Sequence, residues 1–261
     1  MFHASSLAEK TAYITGASAG IGASIARQLA EAGANVVLGA RRKEKCEAIL
    51  RELQQANPKG RYAALSLDVN DDSSVDRFLA EAESEVGAPQ ILVNNAGLAL
   101  GADPVADAEL ADWDRMLDTN TRAVFHLTRK VLPGMLARGE GDIAMITSIA
   151  GLDPYAGGSV YCASKAAVQA FALALREETL GKNIRVMAFD PGLVETEFSL
   201  VRFKGNEEKA KTTYEGLEPL SADDVADCVT FALTRPRRMC LDRTVILASA
   251  QAGTRRFHRA D

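Results

Sequence analysis

The chain has 261 residues, 47% of them hydrophobic and 25% charged, and its 30 basic and 35 acidic side chains leave a formal charge of −5. That composition belongs to a folded chain long enough for one large domain or two small ones, and it excludes a disordered one. The mildly acidic balance gives no general pull toward nucleic acid or an anionic membrane, and no apolar run approaches the ~18 residues that span a bilayer.

Residues 1–10 lack the basic patch and apolar stretch of a signal peptide, which points to a cytoplasmic protein. Cys46, Cys162, Cys228 and Cys240 form no CxxC pair, as expected of reduced thiols, and Cys162 reads as a small buried filler. His3, His126 and His258 form no motif, and His126 falls inside a predicted helix in a structural role. No metal site is expected.

From the N-terminus, strand-like apolar runs alternate with amphipathic segments. A strand at 11–15 leads through a glycine-rich turn to a helix at 21–32. Further strands are predicted at 35–39, 62–67, 90–93, 142–147, 184–189 and 243–247, with helices such as 43–56 and 73–86 between them. Several strands are continuous Val/Ile/Leu/Ala stretches, as in parallel strands covered on both faces. This βα rhythm predicts one doubly wound α/β sheet, and the absence of a linker predicts a single domain over 1–261. Residues 194–220 have no strand character and are the expected lid over a site. The tail, residues 250–261, carries Arg255, Arg256, His258 and Arg259 and reads first as a solvated end.

The first turn reads Thr15-Gly16-Ala17-Ser18-Ala19-Gly20-Ile21-Gly22 and runs straight into a helix. Glycines permit the tight turn and let the backbone approach a pyrophosphate, whose charge meets the helix N-terminus. An acidic residue about 20 positions further on would hold an adenosine 2′-hydroxyl. Here the second strand ends instead in Gly39-Ala40-Arg41-Arg42. Arg41 and Arg42 suit a 2′-phosphate, gripped by charge-assisted bonds, and so favour NADP(H) over NAD(H).

Tyr161 and Lys165 stand at i and i+4 on one face of a predicted helix. A nearby ammonium stabilises phenolate, lowering the tyrosine pKa toward neutrality, and so equips it as acid or base at a carbonyl or alcohol oxygen. Ser148 lies where the fifth strand ends, the edge at which open α/β sheets bind ligands. Alone, a Tyr-x-x-x-Lys helix is common and mostly structural.

In combination, the 15–22 turn, Asp68, Asn94-Asn95-Ala96-Gly97, Asn120, Ser148, Tyr161, Lys165 and Pro191-Gly192 resemble the short-chain dehydrogenase/reductase family over almost the whole chain. The resemblance implies a Rossmann-type sheet of about seven strands, a nicotinamide cofactor and hydride transfer between its C4 and a substrate carbon. It implies that Tyr161 moves the proton, Lys165 tunes it and holds the nicotinamide ribose, Ser148 orients the substrate oxygen, and Asn120 supports a water relay to Lys165. Gly16, Ser18, Ala19, Gly20, Ile21 and Gly22 would carry the pyrophosphate turn. Asp68 and Val69 would contact adenine, Asn94, Ala96 and Gly97 would line the cleft, and Pro191, Gly192, Val194 and Thr196 would sit at the nicotinamide end.

Three stretches narrow the resemblance: NNAGLALG at 94–101, PYAGGSVY at 154–161 and PGLVETEFSLVRFKG at 191–205. They are similar to the NADP-dependent 3-hydroxy acid dehydrogenases acting on serine, allo-threonine and malonic semialdehyde-type compounds, and to sulfoacetaldehyde reductases. The resemblance implies a small substrate bearing a carboxylate or sulfonate, such as 3-hydroxypropionate or isethionate. A cation must then lie away from the hydride-transfer carbon: Arg202 is the first candidate, with Tyr155 and Gln251 adding hydrogen bonds. Rival readings are a reductase of an uncharged carbonyl or acyl group and a non-catalytic dinucleotide sensor. Residues 166–178 continue the Tyr161 helix as AAVQAFALALREE, apolar enough to need a second cover. The resembled family is usually tetrameric, so a homotetramer is expected, with a C-terminal segment near a two-fold axis able to reach a neighbouring pocket.

Overall fold

The computed structural model describes residues 7–259; His3 and the last two residues of the tail lie outside that range. Seven parallel strands form one sheet in the order β3-β2-β1-β4-β5-β6-β7. They are β1 (Thr11–Thr15), β2 (Asn35–Ala40), β3 (Tyr62–Ser66), β4 (Ile91–Asn94), β5 (Gly141–Ile146), β6 (Ile184–Pro191) and β7 (Arg243–Ile246). The Rossmann-type sheet read from the sequence is therefore present, with strand ends displaced by one or two residues. The largest displacement is at β6, which runs on to Pro191 because its ladder with β7 continues to the Pro191–Ile246 pair.

Every residue of β1, β2, β5 and β6 is buried, which explains their mostly apolar sequences. Alternate residues point to opposite faces. Ile14 and Leu38 pack with Leu29 of α1 (Gly20–Glu31), Ile49 of α2 (Lys43–Ala56) and Val229 of α9 (Ala222–Leu233). Tyr13 and Val37 pack on the other face with Phe78 of α3 (Asp72–Glu85), Leu127 of α5 (Ala123–Arg138) and Val168 of α6 (Ser159–Glu178). Between β1 and β4 the direction of chain progression across the sheet reverses, and the crevice at the strands' C-terminal edges opens there.

Two departures from regular geometry shape that crevice. Between α4 (Leu110–Leu117) and α5 the helix widens into a π-turn over Asp118–Arg122, which turns Thr119 and Asn120 inward. After β6 the expected lid is anchored at its base by a bridge between Val194 and Leu220 and carries two short helices, α7 (Phe198–Arg202) and α8 (Glu207–Thr212).

The tail is not a solvated end. Gln251 pairs with Phe257, and the Thr254 hydroxyl donates to the Asp153 carbonyl at 2.8 Å, holding the segment on its own chain's pocket. His126 sits on the surface of α5, 3.5 Å from Asp72, and Cys162 is buried. Among the described residues no helix is long and apolar enough to cross a membrane.

Candidate active site

The floor of the site is built where β4, β5 and β6 end. The Thr15 hydroxyl accepts from the backbone N–H groups of Asn95 and Ala96 at 3.0 and 2.9 Å, while the Asn95 amide donates to the Thr15 and Gly16 carbonyls at 2.8 and 3.2 Å. The loop after β4 is thereby locked to the glycine turn after β1. The turn itself needs glycine: Gly16 has φ +66°, and a Cβ there would lie 2.9 Å from the Ala96 Cα. At Gly22 a Cβ would collide with the Asn95 side chain.

Ser148 follows β5 and caps the single turn Ile149–Gly151, its hydroxyl accepting from Ala150 N–H at 3.1 Å. Across the gap between β5 and α6 the Ser148 hydroxyl also acts on the Tyr161 phenol, favouring its ionised form. One turn along α6, Lys165 is 5% exposed and donates to the Ile146 carbonyl at 3.0 Å. Burial pushes Lys165 down to about 8, opposed by the buried Asp190 carboxylate. Burial also drives the Tyr161 phenol well above its ordinary value, with the Ser148 hydroxyl and Arg202 pulling the other way. This corrects the expected lowering of Tyr161 toward neutrality: desolvation of a phenolate outweighs the favourable charges nearby.

Asn120 stands one layer behind. Its amide donates to the Leu98 carbonyl at 2.8 Å and to Ser164 Oγ at 3.0 Å, and its oxygen accepts from Leu98 N–H at 2.8 Å. These bonds hold the loop after β4 against α6, close to Lys165 but without a direct bond to it.

A cavity of about 580 Å³ runs from Arg42 past the glycine turn and Tyr161 to Arg202. Gly16, Ala19, Gly20, Ile21, Ala96, Gly97, Ser148, Lys165, Pro191, Gly192, Val194 and Thr196 all line it. Asn94 does not. Its amide turns away to donate to Thr128 Oγ1 at 3.0 Å, and Asn95 faces the cleft in its place. Ser18 sits at the rim, accepting from the Arg42 guanidinium at 3.1 Å, and Arg41 is exposed beside it. Asp68 and Val69 lie half-buried beyond the end of β3, where Asp68 accepts from Asn70 N–H at 3.0 Å.

At the far end Arg202, on α7, donates to the Tyr155 hydroxyl at 2.6 Å and to the Gly101 carbonyl at 3.2 Å. Gln251 lines the cavity, but its amide is committed to Leu193 N–H at 2.9 Å and to the Gly253 carbonyl at 3.1 Å. It ties the tail to the end of β6.

Sequence reasoning missed the roles of four residues here. Asp190, fully buried under the site, accepts from the Gln169 amide at 2.6 Å and from the Thr147 hydroxyl. Gln169 Nε2 also donates to the Ser148 carbonyl at 3.0 Å, so this network braces the serine. Phe198 places its ring 5.7 Å from that of Tyr161. Arg255, in the tail, lies over the Tyr155 ring at 4.6 Å. The polar run in the tail is the one visible signal for Arg255; Asp190 sits near the end of a mostly apolar strand.

A sheet-edge crevice, a glycine turn and a Ser–Tyr–Lys group at one end of the cleft define an α/β dinucleotide-dependent oxidoreductase. The short chain dehydrogenase family model matches residues 10–207, and the chain belongs to that family. It is 43% identical over 251 residues to the NADP-dependent 3-hydroxy acid dehydrogenase of Schizosaccharomyces pombe, covering 96% of each chain. It is 41% identical over 240 residues to the NADP-dependent 3-hydroxy acid dehydrogenase YdfG of Escherichia coli K12, covering 92% of this chain and 95% of that one. Among solved structures, a closed form of serine dehydrogenase complexed with NADP+ superposes with a TM-score of 0.88 at 40% identity, covering 96% of this chain and 100% of the other.

Proposed function

We propose that this protein interconverts a small anionic aldehyde or ketone and its alcohol, a short 3-hydroxy acid or its sulfonate analogue, by proton transfer through Tyr161. The chain is an NADP-dependent oxidoreductase, as its relatives are. Bound in this cleft, the cofactor would supply the hydride for reduction and accept it in reverse. The glycine turn at Gly16–Gly22 would hold its pyrophosphate against the N-terminus of α1, Arg41 and Arg42 its 2′-phosphate, Asp68 and Val69 its adenine end, and Lys165 its nicotinamide ribose.

In reduction, Ser148 orients the substrate carbonyl oxygen and Tyr161, held as the phenol by burial, donates its proton to it. The Lys165 ammonium stabilises the phenolate left behind. Pro191, Gly192, Val194 and Thr196 border the nicotinamide end, and Asn120 holds the loop that carries Gly97 in place. Gln251 shapes the pocket wall by its backbone ties.

The observation that carries the substrate class is the Arg202 guanidinium, bonded to Tyr155 and lining the cavity on the side away from the cofactor rim. A planar guanidinium paired with a phenol matches carboxylate or sulfonate oxygens. The test is NADPH oxidation with malonic semialdehyde, sulfoacetaldehyde and an uncharged aldehyde of similar size. A kcat/KM preference of ~100-fold for the anions, about 2.7 kcal/mol of transition-state binding, supports the reading. Equal turnover of the uncharged aldehyde defeats it.

The same reading places the protein in the cytoplasm and assembles it as a homotetramer. The exposed Leu173 on α6 and the Phe125–Phe171 ring pair, with centroids 4.3 Å apart, support a covering subunit on that face.

A further inference from the structure

Glu197 stands at the entrance to the lid, directly before α7, and both of its carboxylate oxygens are engaged across the mouth of the cleft. Oε2 lies 2.8 Å from Arg42 Nη1, and Oε1 lies 2.8 Å from Lys45 Nζ on the first turn of α2. The other side of the Arg42 guanidinium donates to Ser18 Oγ. The two cations come from the end of β2 and the start of α2, whereas the anion comes from a segment more than 150 residues further along the chain. The pairing is thus a tertiary contact between the cofactor rim and the lid. Its cations satisfy the requirements of a phosphate site: a fork-shaped donor, a compact ammonium and a hydroxyl.

We propose that Glu197 is an internal stand-in for the cofactor 2′-phosphate, and that Lys45 is a further 2′-phosphate ligand beside Arg41 and Arg42. The Glu197 carboxylate and a 2′-phosphate compete for these cations: a bound 2′-phosphate would take Arg42 and Lys45 together and release the carboxylate. The proposal rests on the reading of Arg42 as a 2′-phosphate residue. The physical reason is competition between like charges. A phosphate with about two negative charges and a carboxylate with one cannot share the same two side chains without repulsion, and the phosphate offers more charge and more acceptor oxygens. The 44% side-chain exposure of both Arg42 and Glu197 keeps the internal pairing weak enough to be displaced. Because Glu197 belongs to the lid, nucleotide discrimination is linked to the lid's attachment, and the linkage is reciprocal.

The experiment is calorimetric titration of the intact protein with adenosine 2′,5′-bisphosphate and with adenosine 5′-monophosphate, which differ by the 2′-phosphate alone. Removing the competitor in Glu197→Gln is expected to tighten the bisphosphate about fivefold, ~1 kcal/mol, the scale of an exposed ion pair. Lys45→Ala is expected to weaken it by a similar factor. Neither change should move the monophosphate, whose unchanged affinity reports an intact cleft. Unchanged or weaker bisphosphate binding by Glu197→Gln overturns the stand-in role, and unchanged binding by Lys45→Ala removes Lys45 as a ligand. Arg42→Ala separates the underlying reading: bisphosphate binding that survives it shows that the 2′-phosphate binds elsewhere. Lost binding there with no gain in Glu197→Gln defeats the stand-in proposal alone.

Discussion

The floor and the mouth of this cleft are built in opposite ways. On the floor, Ser148, Tyr161 and Lys165 are all at least nine-tenths buried, with Ser148 and Lys165 held by backbone bonds and Tyr161 packed beside Phe198. At the mouth, Arg42, Lys45, Glu197, Arg202 and Arg255 are partly or fully exposed and meet through side-chain ion pairs, hydrogen bonds and ring contacts between segments distant in sequence. Burial makes the floor rigid and shifts its proton affinities. Exposure leaves the mouth weakly held and exchangeable. Chemistry thus belongs to the floor, and selection among nucleotides and substrates to the mouth.

The strongest challenge to that division is Tyr161→Phe, which keeps the ring and its packing on Phe198 but removes the transferable proton. It should lower kcat by ~10³-fold or more while leaving nucleotide affinity unchanged, as measured by single-turnover kinetics and titration. A comparable loss of cofactor binding would make Tyr161 part of the mouth's work as well.

Arg202→Ala should act almost wholly on KM for an anionic substrate, raising it about 10- to 100-fold with little change for an uncharged aldehyde. A kcat loss equal to the KM change would instead place Arg202 in the transition state.

Titration tests the floor alone. Lys165 is charged below about 8 and loses its ammonium as pH rises through that value. Reduction, which uses the Tyr161 phenol and the ammonium together, should therefore fall by roughly tenfold over each unit above the limb. Oxidation needs the phenolate and should gain from pH 7 upward until the ammonium is lost. Parallel profiles in the two directions would contradict the assignment of the proton to Tyr161.

The smallest effect is expected where the tail is pinned. Asp153 accepts from the Thr254 N–H and hydroxyl and pairs with Arg256, contacts that also hold its carboxyl below the usual range. Asp153→Ala should raise KM about two- to fivefold with kcat kept, a surface-contact effect. It should also speed proteolytic clipping of the tail, read by mass spectrometry.

Local spacing carries much of what this protein is. The strand-like runs, the glycine turn and the i, i+4 placement of Tyr161 and Lys165 are short-range patterns, because strand and helix periodicities repeat within a few residues. They make the parallel sheet and the cofactor turn legible in the sequence, whereas Ser148, Tyr161 and Lys165 stand out as a group only through the family resemblance. The choice between Asn94 and Asn95 was not legible, since it depends on how β4 ends against α5 and a one-residue step reverses the side chain. Nor was the state of Tyr161, because a pKa reflects desolvation by residues from the whole chain. Asp190 and Gln169 brace Ser148 from β6 and α6, and the Glu197 contact with Arg42 and Lys45 joins the lid to the second strand's end. The tail folds over its own pocket through Asp153. Each of these depends on distances set only when the sheet closes, which no local pattern of residues encodes.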